Sequence, residues 1–100
     1  MLHIVNKSPY QTSTLESCLR LAQPGHALLL IEDGIYAATT GSSLEARMRE
    51  AGNAKVKLYA LKPDMEARGV AAKAMDNVTL VDYGGFVDLV AEYSTSHSWL

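Results

Sequence analysis

The run Ala27-Leu28-Leu29-Leu30-Ile31, broken off by Glu32-Asp33-Gly34, constrains this chain more than any other stretch. Large aliphatic side chains in unbroken succession leave no polar side. The segment therefore reads as a strand buried on both faces, as in sheets with helices above and below. Two carboxylates cannot follow into the same apolar layers without partners, so the chain must surface at Glu32, where Gly34 offers backbone angles closed to other residues. Charge thereby collects at the C-terminal end of a strand, the edge where open α/β sheets place their sites. The same edge also needs polar residues merely to turn the chain.

The flanking segments alternate in character. Leu2 to Asn6 reads as a short strand, and Pro9 with Ser8, Thr12, Ser13 and Thr14 marks a loop. Ser13 and Glu16 are spaced as a capping box that opens a helix, with Leu15, Cys18, Leu19 and Ala22 on one face and Pro24-Gly25 ending it. Tyr36-Ala37-Ala38 reads as a short helical turn. Ser42-Ser43-Leu44-Glu45 offers a second capping box, Leu44, Met48 and Ala51 line that helix, and Gly52 is placed to close it. Val56 to Leu61 is strand-like, and Pro63-Asp64 starts a short helix closed by Gly69 after Arg68. Val70 to Met75 carries no clear pattern. Asn77 to Val81 reads as a fourth strand, Asp82 is placed to cap a helix, and Phe86, Leu89, Val90 and Tyr93 recur at helical spacing. The tail from Ser94 is polar until Trp99 and Leu100.

Strands separated by helices imply parallel pairing through right-handed crossovers. The expected fold is a small three-layer α/β sandwich, flavodoxin-like, with a mainly parallel sheet of four to five strands in a single domain spanning residues 1–100. Three strand ends then share one edge: Lys7-Ser8-Pro9, Glu32-Asp33-Gly34 and Asp82-Tyr83.

Composition narrows the function classes. A formal net charge of -2 without a Lys/Arg cluster lacks the electrostatic footprint of a protein that grips nucleic acid. No apolar run approaches membrane-spanning length, and Met1 to Val5 is too short and lacks the basic flank of a signal peptide, so the chain is expected in the cytoplasm. One cysteine, Cys18, cannot form an internal disulfide or a cysteine-based zinc site, and His3, His26 and His97 show no ligand spacing.

Few residues are suited to chemistry. Cys18 is the one soft nucleophile: its thiolate can attack a sulfane sulfur and hold it as a persulfide, but its register with Leu15, Leu19 and Ala22 makes it more simply a small apolar residue of the core. Glu32 and Asp33 have the chemistry of an acid–base pair or a cation site, and also that of a solvated turn. The hydroxyl-rich loop from Ser8 to Thr14 has some likeness to a flavin-phosphate cradle, but it contains no glycine and Pro9 removes one donor. Five tyrosines and Trp99 are many large amphipathic side chains for 100 residues, so some, Tyr36 and Tyr83 among them, should be available to a partner.

Four stretches in order carry a family resemblance: His3-Ile4-Val5-Asn6-Lys7-Ser8-Pro9; Leu29 through Glu32-Asp33-Gly34-Ile35-Tyr36-Ala37-Ala38; Lys57 to Leu61 with Asp64 and Ala67-Arg68-Gly69; and Val81-Asp82-Tyr83-Gly84-Gly85-Phe86-Val87-Asp88-Leu89. With a Ser98-Trp99-Leu100 ending, the chain resembles the DsrH/TusB family. The resemblance implies a DsrE-like fold. It also implies a subunit of a cytoplasmic sulfur-relay hexamer, beside DsrE/TusD-type and DsrF/TusC-type chains, passing persulfide sulfur to a DsrC/TusE-type carrier. The principal sulfur-carrying cysteine belongs to the DsrE/TusD-type chain, which leaves this one mainly structural, with no cofactor and with Lys7, Ser8, Pro9, Glu32, Asp33, Gly34, Tyr36, Asp82, Tyr83 and Trp99 as interface or structural positions. Cys18 and the Glu32-Asp33-Gly34-Ile35-Tyr36 motif resemble the DsrH, sulfur-oxidation arm, with Cys18 an accessory acceptor at most. A TusB-like subunit in tRNA wobble-uridine 2-thiolation and a free flavodoxin-like cofactor-binding domain are the alternatives.

Overall fold

The apolar run becomes a strand buried along its whole length, Ala27–Leu30. In the computed structural model, which describes residues 1–99, it lies at the centre of a five-stranded sheet. The strands are β1 (Leu2–Val5), β2 (Ala27–Leu30), β3 (Lys57–Leu61), β4 (Thr79–Val81) and β5 (Ser96–Trp99), in the order β4-β3-β2-β1-β5. Every pairing is parallel, with Leu2 opposite Ala27 and Ser96, Leu29 opposite Tyr59, and Ala60 opposite Leu80. Four helices connect them: α1 (Thr14–Leu21), α2 (Glu45–Asn53), α3 (Lys62–Ala67) and α4 (Tyr83–Glu92). Two 3₁₀ segments, Glu32–Ala38 and Ala71–Lys73, complete the chain.

Strand order decides the layers. The steps β1 to β2 to β3 to β4 all run one way across the sheet, so right-handed crossovers put α1, α2 and α3 on one face; the return from β4 to β5 puts α4 alone on the other. The first face holds the larger core, where Leu15, Cys18, Ile35, Met48 and Met65 pack on Val5, Leu28, Leu30, Leu58 and Ala60. On the second, Leu89 packs with Leu2, Ala27 and Leu29, flanked by Phe86, Tyr59 and Tyr93. One helix cannot span five strands. Outside its cover, the sheet carries the exposed polar side chains of Lys57, Thr79, Ser96 and Ser98.

The expected α/β sandwich is thus observed, with several local corrections. Neither capping box forms. Ser13 makes no side-chain cap, because Glu16 turns outward to Arg47 at 3.2 Å. Glu45 reaches past Ser42 to accept from the Gly41 amide at 2.6 Å, and that contact, with Arg49 beside it, holds its carboxyl below the usual range. Gly52 does not close α2, which runs on to Asn53 before Lys55 takes a positive φ of 72°. A Cβ at Gly52 would sit 2.9 Å from the Asn77 amide nitrogen, so packing explains the glycine. The polar tail forms β5, because a parallel edge strand needs main-chain partners more than apolar side chains. Leu100 lies outside the described residues.

Candidate functional site at the C-terminal edge of the sheet

The acidic motif is not a simple turn. Glu32 to Ala38 winds into a 3₁₀ segment, and its first residue takes a left-handed φ of 49° that costs a non-glycine residue about 1 kcal/mol or more. Two neighbours hold it there. The Glu32 amide donates to Asp64 Oδ2 at 2.7 Å, and Asn6 Nδ2 donates to Glu32 Oε2 at 3.3 Å. Asp33 pairs with Arg68 at 3.0 Å, and Arg68 Nη1 also reaches the Asp64 carbonyl at 3.4 Å. The ends of β1 and β2 and both ends of α3 are therefore fastened together. Gly34 is needed for space and not for its angles: it is buried, and a Cβ would run into the Val5 carbonyl oxygen at the end of β1.

Beside this knot lies an open cavity of about 360 Å³ lined by Ile31, Glu32, Leu61, Asp64, Tyr83, Phe86 and Val87. Asp82 caps α4 as expected, accepting from the Gly85 amide at 2.8 Å. That capping sets the helix's rotation. Leu89 then faces the sheet, while Tyr83, Val87 and Val90 line the outer face, Tyr83 62% and Val87 65% exposed. Val90, expected with Phe86 and Leu89 on the core side, belongs to this outer stripe. The edge thus brings Glu32 and Tyr83 to one cavity, with an apolar helix face running away from it.

The first loop is a different environment. Ser8 is buried, Lys7 exposed and Pro9 half-buried. The Tyr10 amide donates to Ser8 Oγ, the Gln11 and Thr12 amides donate to the Ser8 carbonyl, and the Thr14 amide donates to Thr12 Oγ1. Amides used within the loop do not converge on an outside anion, which removes the support for a phosphate cradle. Tyr10 instead covers Tyr36, ring centroids 6.5 Å apart, extending the aromatic surface of the edge.

Cys18 sits inside the larger core, fully shielded from solvent, and burial alone pushes its thiol up to about 12. A thiol so placed is essentially unionised at neutral pH and has no nucleophilic thiolate to offer. Trp99 does not face the edge either. Its indole turns back along the sheet to His3 Nδ1 at 3.1 Å, and His3 Nε2 lies 3.0 Å from His26 Nδ1. Burial chiefly, with the charges of His26, the N-terminus and His97, lowers the His3 pKa. The spacing of the histidines conceals this meeting, because parallel register sets His97 opposite His3 and the His26 side chain reaches across from just before β2. Asp64 and Arg68 are the other residues that pattern reading left out of the site. The available sign was an acid in the first turn of a helix starting directly after a strand.

Comparison with known proteins fits this geometry. The family model of the DsrH-like proteins matches residues 7–96. The chain belongs to that family. Members named protein TusB share 39% identity in Pectobacterium parmentieri and 36% in Escherichia coli K12, each over 99% of this chain and 100% of the relative. In fold, the family chain is similar to the crystal structure of the YchN protein from E. coli, with a TM-score of 0.83 at 20% identity over 97% of both chains. The relatives' TusB names side with the TusB-like alternative over the DsrH leaning drawn from Cys18 and the acidic motif. No helix among the described residues is long and apolar enough to cross a membrane, and no metal-binding cluster occurs among them.

Proposed function

We propose that this chain is the TusB-type subunit of a sulfur-relay complex serving 2-thiolation of the tRNA wobble uridine, and that it acts as a docking and structural member without carrying sulfur itself. The observation that carries this reading is the burial of Cys18: the chain's one thiol is enclosed in the core, where burial pushes it up to about 12, which supports placing the persulfide chemistry on another subunit. The TusB relatives, 36–39% identical along their full length, support the branch. The outer stripe of α4 supports docking. Tyr83, Val87 and Val90 place an apolar face next to a cavity whose lining is apolar apart from Glu32, Asp64 and the Tyr83 hydroxyl, the arrangement of a surface that a second protein covers. Partners of the DsrE/TusD and DsrF/TusC types fit that role, with a DsrC/TusE-type carrier receiving the sulfur from the assembled complex in the cytoplasm.

The test is genetic and chemical together. Deleting the gene should abolish 2-thiouridine in tRNA, measured by mass spectrometry of digested nucleosides. Both the wild-type chain and Cys18→Ala should restore it. Normal thiolation in the deletion strain would overturn the branch, and failure of Cys18→Ala in an intact complex would overturn the structural role.

A further inference from the structure

Buried His3, half-buried His26 and Trp99 form one directed hydrogen-bond chain. An indole nitrogen only donates, so Trp99 Nε1 fixes His3 Nδ1, 3.1 Å away, as an acceptor. The neutral His3 ring must then carry its proton on Nε2 and donate it to His26 Nδ1 at 3.0 Å. His26 Nδ1 also accepts from the Gln23 amide at 3.2 Å, so it too is unprotonated. Every contact in the chain requires both rings neutral. His3 is 2% exposed, and its strand is the one against which β5 pairs.

We infer that the His26–His3–Trp99 chain is an acid-released latch on the edge strand: a proton taken up at His3 Nδ1 sets donor against donor, breaks the bond to the indole and frees β5 from β1 while the other four strands stay paired, and one taken up at His26 Nδ1 removes the acceptor of the His3 Nε2 proton. The surrounding charges assist release. His26, the Met1 ammonium and His97 act on His3, and each is positive when charged. His97 also packs its ring against Trp99, centroids 4.8 Å apart. From α1, which contacts both strands, come Arg20 and Glu16, the latter held by Arg47; β2 offers no ionisable group, and β3 brings Lys57, whose amide bonds the His26 carbonyl. Burial, with the charges of His26, the N-terminus and His97, places His3 below the ordinary 6.5, and burial with the N-terminus does the same to His26. The closed latch therefore binds fewer protons than the open one. It is fully closed above 6.5 and is lost as pH falls through the lowered values of the folded rings.

Trp99 is the sole tryptophan, so its emission reports the latch directly in the full chain. Acidification from about pH 8 to about pH 5 should shift that emission to the red. Over the same range, amide exchange in β5, corrected for intrinsic rates, should rise up to about tenfold per pH unit while β2 and β3 stay protected. His3→Asn keeps an acceptor near the indole but cannot take up a proton, and should lose the response. An unmoved β5 in the wild type, loosening of all strands together, or an unchanged response in His3→Asn would each overturn the latch. Should that variant fail to fold, imidazole ¹⁵N shifts of the wild type decide: His3 must be protonated on Nε2 and titrate with the Trp99 indole resonance, and the opposite tautomer overturns the proposal.

Discussion

Asp64 Oδ2 accepts from the Glu32 amide at 2.7 Å, tying the first turn of α3 to a residue held at a φ of 49°. The bond is charge-assisted and offsets a backbone conformation that Glu32 would otherwise leave. Asp64→Ala should therefore cost about 1.5–3 kcal/mol, while Asp64→Asn, which keeps an acceptor, should cost less. Denaturant midpoints of the two variants provide the measurement; equal midpoints would mean that the carboxylate does not hold the turn.

Gly34 and Gly41 separate space from conformation. A Cβ at Gly34 meets the Val5 carbonyl, a backbone atom that cannot swing aside, whereas Gly41 has a φ of 81° with nothing within 4 Å of its Cβ position. Gly34→Ala should cost more than about 2 kcal/mol by overpacking, and Gly41→Ala about 1–2 kcal/mol through its left-handed angle. Thermal or denaturant unfolding of both variants checks the order. A milder effect at Gly34 would contradict the close approach.

The same pair of glycines shows what the sequence makes legible. The buried strand, its acidic end and the alternation of strands with helices follow from local apolar pattern, which suffices for the α/β class; the division of three helices on one face and one on the other follows from the strand order, which that pattern does not contain. Local pattern contains no information about which atom of β1 lies over Gly34, or that Asp64 reaches back to Glu32 across 32 residues. The capping boxes fail for a related reason: Glu16 and Glu45 each have a better partner supplied by tertiary structure, in Arg47 and the Gly41 amide. β5 is hidden because edge pairing is a main-chain property, to which the side chains of Ser96, His97 and Ser98 contribute little.

Cys18 should behave as a core residue. A thiol reagent such as a chromogenic disulfide should react with it only at the rate of opening, and stoichiometrically once the chain is unfolded. Cys18→Ser buries a hydroxyl in apolar surroundings and should cost about 1–3 kcal/mol by chemical denaturation. Rapid stoichiometric labelling of the folded protein would show that the first loop admits solvent to α1.

Val87 tests the surface without disturbing the core. At 65% exposure, on the side of α4 away from Leu89, it makes no demand on the fold of the isolated chain. Val87→Asp should change unfolding free energy by no more than about 0.5 kcal/mol. If the stripe of Tyr83, Val87 and Val90 is covered in a complex, the same change buries an unpaired carboxylate against apolar surface and should weaken assembly by about 2–5 kcal/mol. Co-expression with the two related subunits, followed by size-exclusion chromatography, reads this out: a stable but unassembled chain is expected. A Val87→Asp variant that co-elutes with both partners as the wild type does would place the interface elsewhere on the molecule.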